Sequence, residues 1–138
     1  MTTEHARVEL SFSDDPWLLR GVSGAVAHVA RRAGLDEEAQ QSLIAATEQA
    51  CLDTFKLLSS NHDLLHVLIE DFADRIEVTL EHHGEALPSA GLETFVGFED
   101  QAGDLSGLML LARVDRVLYD TESGTSRMTL VKYISATK

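Results

Sequence analysis

Residues 76–81 carry the pattern that most limits how this chain can fold. Ile76, Val78 and Leu80 alternate there with polar residues, which indicates a strand with one apolar face and one face in water. A sheet built from such strands needs cover on its apolar face only, so its helices must lie together on that side. The sequence therefore predicts an α+β fold, a two-layer sandwich with a mostly antiparallel sheet and helices on one face.

Two helical segments can supply that cover. The apolar residues of 17–33 recur at intervals of three and four, and Gly34 follows them as a suitable C-cap. Asp36 is a good N-cap for a second amphipathic helix. That second helix is expected to end near residues 59–61, where polar residues replace the apolar stripe.

The remaining segments complete one domain over residues 1–138, with its core at about 7–134. The predicted order is β-α-α-β-β-loop-α-β-β, and the second and third strands form an antiparallel hairpin across the break at 71–74. The loop at 83–104 is long for a compact domain, and such loops are usually functional or mobile. The other predicted elements are strands at 7–12, 64–70, 116–120 and 128–134, a short helix at 107–114 and a turn at 123–124.

Composition excludes several classes of function. The formal net charge is -12, from 23 acidic and 11 basic side chains, which argues against nucleic-acid binding and favours a basic protein partner. The single cysteine, Cys51, permits no intrachain disulfide, as suits a reducing compartment. No secretory signal and no run of about 18 apolar residues is present, so we expect a cytoplasmic protein that does not enter a membrane.

The second helix contains the residues best suited by type to catalysis or metal binding. Residues 48–53 read Glu-Gln-Ala-Cys-Leu-Asp, and side chains four apart share one helix face. Gln49 and Asp53 form one such pair, which Lys56 extends. Glu48 forms the other pair with the residue at 52. A glutamate can act as a general base and a carboxylate can bind Mg²⁺, although a solvated helix face is the simpler interpretation.

Three glycine-containing runs follow. His82-His83-Gly84 comes after the third strand, Gly103 precedes the predicted short helix, Gly107-Leu108 begins that helix, and Gly124-Thr125 lies in the last turn. Glycine lets a backbone approach a ligand closely, and N–H groups at a helix start can hold phosphates. Adjacent strand residues point to opposite faces, so His82 and His83 are not expected to share a metal ion.

The order and spacing of these runs resemble the histidine-kinase-like ATPase fold. Among the branches of this fold, the anti-sigma-factor serine kinases are the most similar to this chain in length. The resemblance to them extends from about residue 7 to residue 134. The resemblance implies an ATP-binding domain with three motifs. These are Glu-x-x-x-Asn on the second helix, Asp-x-Gly-x-Gly after the hairpin and Gly-x-Gly-Leu at a helix start.

Carried over to this chain, the motifs are incomplete. Gln49 stands at the position of the catalytic base, or Glu48 if the register shifts by one, and Asp53 replaces the Asn that binds Mg²⁺. Glutamine cannot accept a proton, and the shifted register puts Leu52 at the metal position. His82 replaces the carboxylate that binds adenine. The other cofactor-binding residues implied by the resemblance are Lys56, Gly84, Gly103, Gly107, Leu108 and Thr125.

These losses predict an anti-sigma-factor-like regulator that works by partner switching, with weak or no kinase activity. The resemblance implies a sigma factor or an anti-sigma-factor antagonist as partner, contact through Arg20, and homodimer formation. The alternative is an active serine kinase that phosphorylates the antagonist with ATP and Mg²⁺, and a third possibility is a structural or dimerisation module with no regulatory partner. Phe95 and Phe98 are candidates to fill the adenine volume, and Cys51 is interpreted as a core residue.

Overall fold

The structure is a computed structural model that describes residues 6–13, 15–56, 58, 64–83, 113–122 and 124–134. In these residues two helices pack on one face of a five-stranded antiparallel sheet, so the predicted α+β class is confirmed. A 3-10 turn, Pro16–Leu18, leads into α1, Leu19–Ala33, and α2 spans Glu37–Phe55. The strands are β1 Arg7–Phe12, β2 Leu65–Asp71, β3 Arg75–His83, β4 Arg116–Glu122 and β5 Thr125–Tyr133.

The sheet order is β1-β2-β3-β5-β4, and every neighbouring pair is antiparallel. The β2–β3 hairpin is confirmed, with Ile69 opposite Val78. Burial alternates along both strands, because one face meets the helices and the other meets solvent. The buried residues of this hairpin that form the core are Leu65, Val67, Ile69, Ile76, Val78 and Leu80.

Helix ends follow local chemistry where the sequence supplies a cap. Gly34 adopts a left-handed φ of 94°, and the Asp36 side chain accepts a hydrogen bond from the Ala39 N–H at 2.7 Å, as predicted. The end of α2 was predicted too late. Lys56 N–H bonds back to the Asp53 carbonyl at 3.2 Å, a tightened last turn that closes the helix at Phe55.

The last strand was predicted too short. β5 begins at Thr125 rather than residue 128, because its first residues pair with the end of β3 near His83. The predicted loop after His83 and the helix at 107–114 fall almost wholly outside the described residues. Cys51 is fully buried, which confirms its interpretation as a core residue.

Candidate functional site

A cavity of about 110 Å³ lies between the C-terminal half of α2 and the ends of β3, β4 and β5. Leu80 and Met128 give it an apolar side, and most of its other lining residues are polar. One predicted site residue, His82, is part of the wall. The lining residues are Thr54, Leu80, His82, Tyr119, Asp120, Thr121, Ser126, Arg127 and Met128.

Strand register builds the polar end of the cavity. Ser126 lies opposite His82 on one side and Thr121 on the other, so the three side chains share the face that looks toward the helices. Ser126 is 3% exposed, and its hydroxyl has no hydrogen-bond partner among the described residues. Leaving a buried hydroxyl without a hydrogen bond costs about 1–3 kcal/mol of folding free energy. A molecule in the cavity that bonded to Ser126 would recover part of that energy.

Asp53 adds negative charge beside this cavity. The pKa of the Tyr119 hydroxyl, in the cavity wall, is raised by burial first and then by the charge of Asp53. The Gln49 side-chain amide donates to the Asp53 carboxylate at 2.9 Å. The pair of Gln49 and Asp53 therefore lies on the side of α2 nearest the cavity, and Lys56 is exposed just beyond the end of the helix.

Glu48 faces a different neighbour. The Ser23 hydroxyl donates to its carboxylate at 2.5 Å, which ties α1 to α2. Glu48 also contributes, after burial, to raising the pKa of the Cys51 thiol to about 12. Leu52 is 40% exposed. Two registers were considered for the catalytic pair. In the one that uses Glu48 and Leu52, both side chains point away from the cavity.

In β5, the cavity wall contains Ser126 and not the predicted site residue Thr125. Thr125 lies 3.2 Å (Oγ1 to Nδ1) from His83 on the open face of the sheet, whereas Ser126 faces the cavity. Sequence reasoning missed Ser126. Counting back by twos from the apolar residues Leu130 and Met128 would have found it, because alternate strand residues share a face.

Some predictions lie outside the described residues. In the described part of the chain, no group of three or more His, Cys, Asp or Glu side chains is placed to hold a metal ion. His82 is buried and His83 is exposed, so these neighbours do point to opposite faces. The predicted residues that fall outside the described ranges are Gly84, Gly103, Gly107 and Leu108, together with Phe95 and Phe98.

A second feature, here called the α1 surface, lies on the solvent side of the first helix. Trp17 is 73% exposed, and the Arg20 guanidinium carbon lies 5.1 Å from its ring centroid. The whole of α1 contains basic residues and no Asp or Glu. The α1 surface consists of Trp17, Arg20, Gly21, Gly24, His28, Arg31 and Arg32, all exposed.

Two glycines of the α1 surface, Gly21 and Gly24, make no close contact with the part of the chain that the structure describes. Each costs an interior helix position about 1 kcal/mol relative to alanine. A Cβ built at Gly21 or at Gly24 would meet nothing within 4 Å among the described residues. Among the described residues, neither close packing nor a positive φ requires glycine at these two positions.

Comparison with known proteins supports the fold. No protein-family model matches the sequence, and no curated protein matches it. A solved chain containing the RsbU and RsbW domains of Rv1364c from Mycobacterium tuberculosis superposes with a TM-score of 0.69 at 12% identity. The match covers 96% of this chain and 33% of that one, so this chain spans about a third of that chain's length.

Among the described residues, no helix is long and apolar enough to cross a membrane.

Proposed function

We propose that this protein is a partner-switching regulator of the anti-sigma-factor type with weak or no kinase activity. Its partner would be a sigma factor or an anti-sigma-factor antagonist, bound through the α1 surface. The observation that carries this proposal is the exposed Trp17 and Arg20 pair beside two exposed helix glycines. A fold shared with a chain that contains an RsbW domain supports it.

The residues of the α1 surface suit an interface. Tryptophan and arginine are the side chains that most often dominate the energy of protein interfaces, and glycine allows another backbone to come close. The net charge of -12 favours a partner that is basic overall, but because α1 has basic residues and no acidic ones, the part of the partner that meets this surface should be acidic. A two-fold contact of this surface with itself would oppose like charges, which favours a different protein as the partner.

The surroundings of the cavity support weak or absent phosphoryl transfer. Gln49 cannot act as a base, and the carboxylate of Glu48 is held by Ser23 on α1. Phosphoryl transfer depends mostly on positioning and on cations that neutralise charge. Asp53 adds an acidic group instead.

The test is capture of partners from lysate of the source organism by purified, immobilised protein, with identification by mass spectrometry. We expect a sigma factor or an antagonist to be retained by the wild type and lost with Trp17→Ala and Arg20→Ala. Arg7→Ala, an exposed arginine on β1, is the matched control and should retain the partner. Recovery of neither class of protein would refute the proposal.

An active serine kinase is the second candidate, favoured by the position of Asp53 beside the cavity. In that case Asp53 would hold Mg²⁺, and ATP would be the phosphate donor. Calorimetry with a non-hydrolysable ATP analogue and Mg²⁺ separates the two functions. Binding that disappears in Asp53→Ala would support the kinase, and the absence of heat at high protein concentration would count against it.

A further inference from the structure

We propose that His66 and His83, on the open face of the sheet, form a binding site for a divalent transition-metal ion of the copper or nickel type. The inference stands on the placement of the two rings, on the hydroxyls that hold them and on the charge around them. It depends neither on the α1 surface nor on the cavity beside α2, which lies on the helix side of the sheet. The result of a metal assay is therefore separate from that of the partner assay or the ATP assay.

Strand pairing brings the two imidazoles together. His66 on β2 lies opposite Glu81 on β3, and His83 is two residues further along β3, so both histidines lie on the open face as diagonal neighbours. Their ring centroids are 6.4 Å apart. Two imidazoles that share one ion, at metal–nitrogen distances of about 2.0–2.1 Å, have centroids roughly 5–6 Å apart. Because His83 is exposed, a small rotation of its side chain closes that difference.

A hydroxyl holds each ring through Nδ1. His66 Nδ1 lies 2.7 Å from the Ser11 hydroxyl, and His83 Nδ1 lies 3.2 Å from the Thr125 hydroxyl. A hydroxyl oxygen can accept a hydrogen bond from Nδ1–H, and in that tautomer the lone pair of Nε2 is available to a metal. Histidines that bind metals usually donate their other ring N–H in this way. The two hydroxyls therefore orient both rings for coordination through Nε2.

The surroundings of the two rings carry more negative than positive charge. The open groove that contains both histidines has two arginines in its wall, and each arginine lies within 3.2 Å of two carboxylates. These ion pairs are Arg7 with Glu9 and Glu70, and Arg127 with Glu81 and Asp120. Four carboxylates thus face two guanidinium groups, so the groove attracts a cation and repels an anion.

The ligands select the kind of ion. Imidazole nitrogen suits copper, nickel and zinc, whereas Mg²⁺ and Ca²⁺ prefer oxygen. In the described part of the chain no third His, Cys, Asp or Glu is placed to join the pair, so water completes the shell, and the groove, of about 470 Å³, has room for it. A shell of nitrogen and water suits Cu²⁺ and Ni²⁺ better than Zn²⁺, whose protein sites take three or four side chains.

The experiment is calorimetry on the full chain near neutral pH, with Cu²⁺, Ni²⁺ and Mg²⁺ titrated separately. We expect Cu²⁺ to bind more tightly than Ni²⁺, which is the usual order for nitrogen ligands, and Mg²⁺ not to bind at this site. Electron paramagnetic resonance of the Cu²⁺ complex should show coupling to imidazole nitrogen. Free Cu²⁺ at about 100 times its dissociation constant should raise the melting temperature by about 5–10 °C. Absence of binding, or a Cu²⁺ spectrum without nitrogen coupling, would overturn the proposal.

Histidine variants assign the binding to this pair. His66→Ala and His83→Ala should each weaken Cu²⁺ binding at least about ten-fold. The double variant should be no weaker than either single variant, because one ion needs both rings. His28→Ala, which removes an exposed histidine on α1, is the matched control and should leave the affinity unchanged. An equal loss in that control, no loss in either single variant, or losses that multiply in the double variant would refute a shared site.

Ser11 is tested as a positioning residue. Ser11→Ala removes the hydroxyl at His66 Nδ1 and should weaken Cu²⁺ binding about ten-fold, while the melting temperature in EDTA stays unchanged. Thr129→Val is the control, because its hydroxyl lies on the same face and bonds to Thr79 at 3.2 Å. That variant should bind Cu²⁺ like the wild type. Equal affinities in the two variants would contradict the oriented rings from which the site is inferred.

Discussion

Replacing Gly24 by alanine should stabilise the folded chain by about 1 kcal/mol. Gly24 lies in the interior of α1 and is exposed, and a Cβ there would meet nothing within 4 Å among the described residues. The added methyl therefore brings no clash, and it reduces the freedom of the unfolded chain. In a domain of this size the gain corresponds to a rise of about 3 °C in the melting temperature.

The same substitution at Gly34 gives a matched control of opposite sign. Gly34 caps α1 at φ 94°, a left-handed conformation that costs a residue with a Cβ about 1–2 kcal/mol. No clash explains that cost, since a Cβ at Gly34 also meets nothing within 4 Å among the described residues. The difference between the two variants thus isolates backbone conformation.

Urea unfolding followed by far-UV circular dichroism measures both effects. With an m-value of about 2 kcal/mol/M, 1 kcal/mol moves the midpoint by about 0.5 M, upward for Gly24→Ala and downward for Gly34→Ala. If Gly24→Ala lowered the midpoint, the glycine would be needed within the fold itself. The argument that a partner approaches the α1 surface would then fail.

Four further predictions follow from single features. Asp36→Ala removes the cap of α2 and should lower the free energy of unfolding by about 1 kcal/mol in the same urea assay. Ile69→Ala, in the buried face of β2, should lower it by about 2–5 kcal/mol. The pKa of Cys51 is raised to about 12, so the unfolded thiol ionises first. Stability should fall as pH rises above about 9, and less in Cys51→Ala, as urea midpoints measured across that range will show. The affinity for a partner bound through the α1 surface, measured by calorimetry, should fall as salt is raised from about 0.05 to 0.5 M. Salt screens the attraction between the exposed arginines of that surface and acidic groups of the partner.

Local signals predicted the fold well. The alternation at 76–81 and the caps at Gly34 and Asp36 depend on residues close in sequence, and each was confirmed. The late end predicted for α2 had another cause. The apolar stripe continues beyond Phe55, but the chain closes the helix through the Lys56 N–H, and hydrophobic spacing carries no information about that turn.

The candidate site was only partly predictable. His82 was expected at the site and lies in the cavity wall, but Thr125 lies on the other face and Ser126 takes its place. A shift of one residue along a strand moves every side chain to the other face of the sheet. A motif match does not determine which of two neighbouring residues faces the cavity. The exposure of Trp17 was also not foreseen, because the sequence analysis began the helix at this residue without assigning its side chain to either face.

The position of α2 explains how one fold can keep two separable surfaces. One side of the helix is bound to α1 through Glu48 and Ser23, and the next residue, Gln49, belongs with Asp53 to the side nearest the cavity. The carboxylate that could have served as a base thus joins the two helices, and the residue beside the cavity cannot accept a proton. The contact with α1 and the cavity thus lie on different sides of α2, so the effects of substitutions at Arg20 and at Ser126 on the free energy of unfolding should be additive.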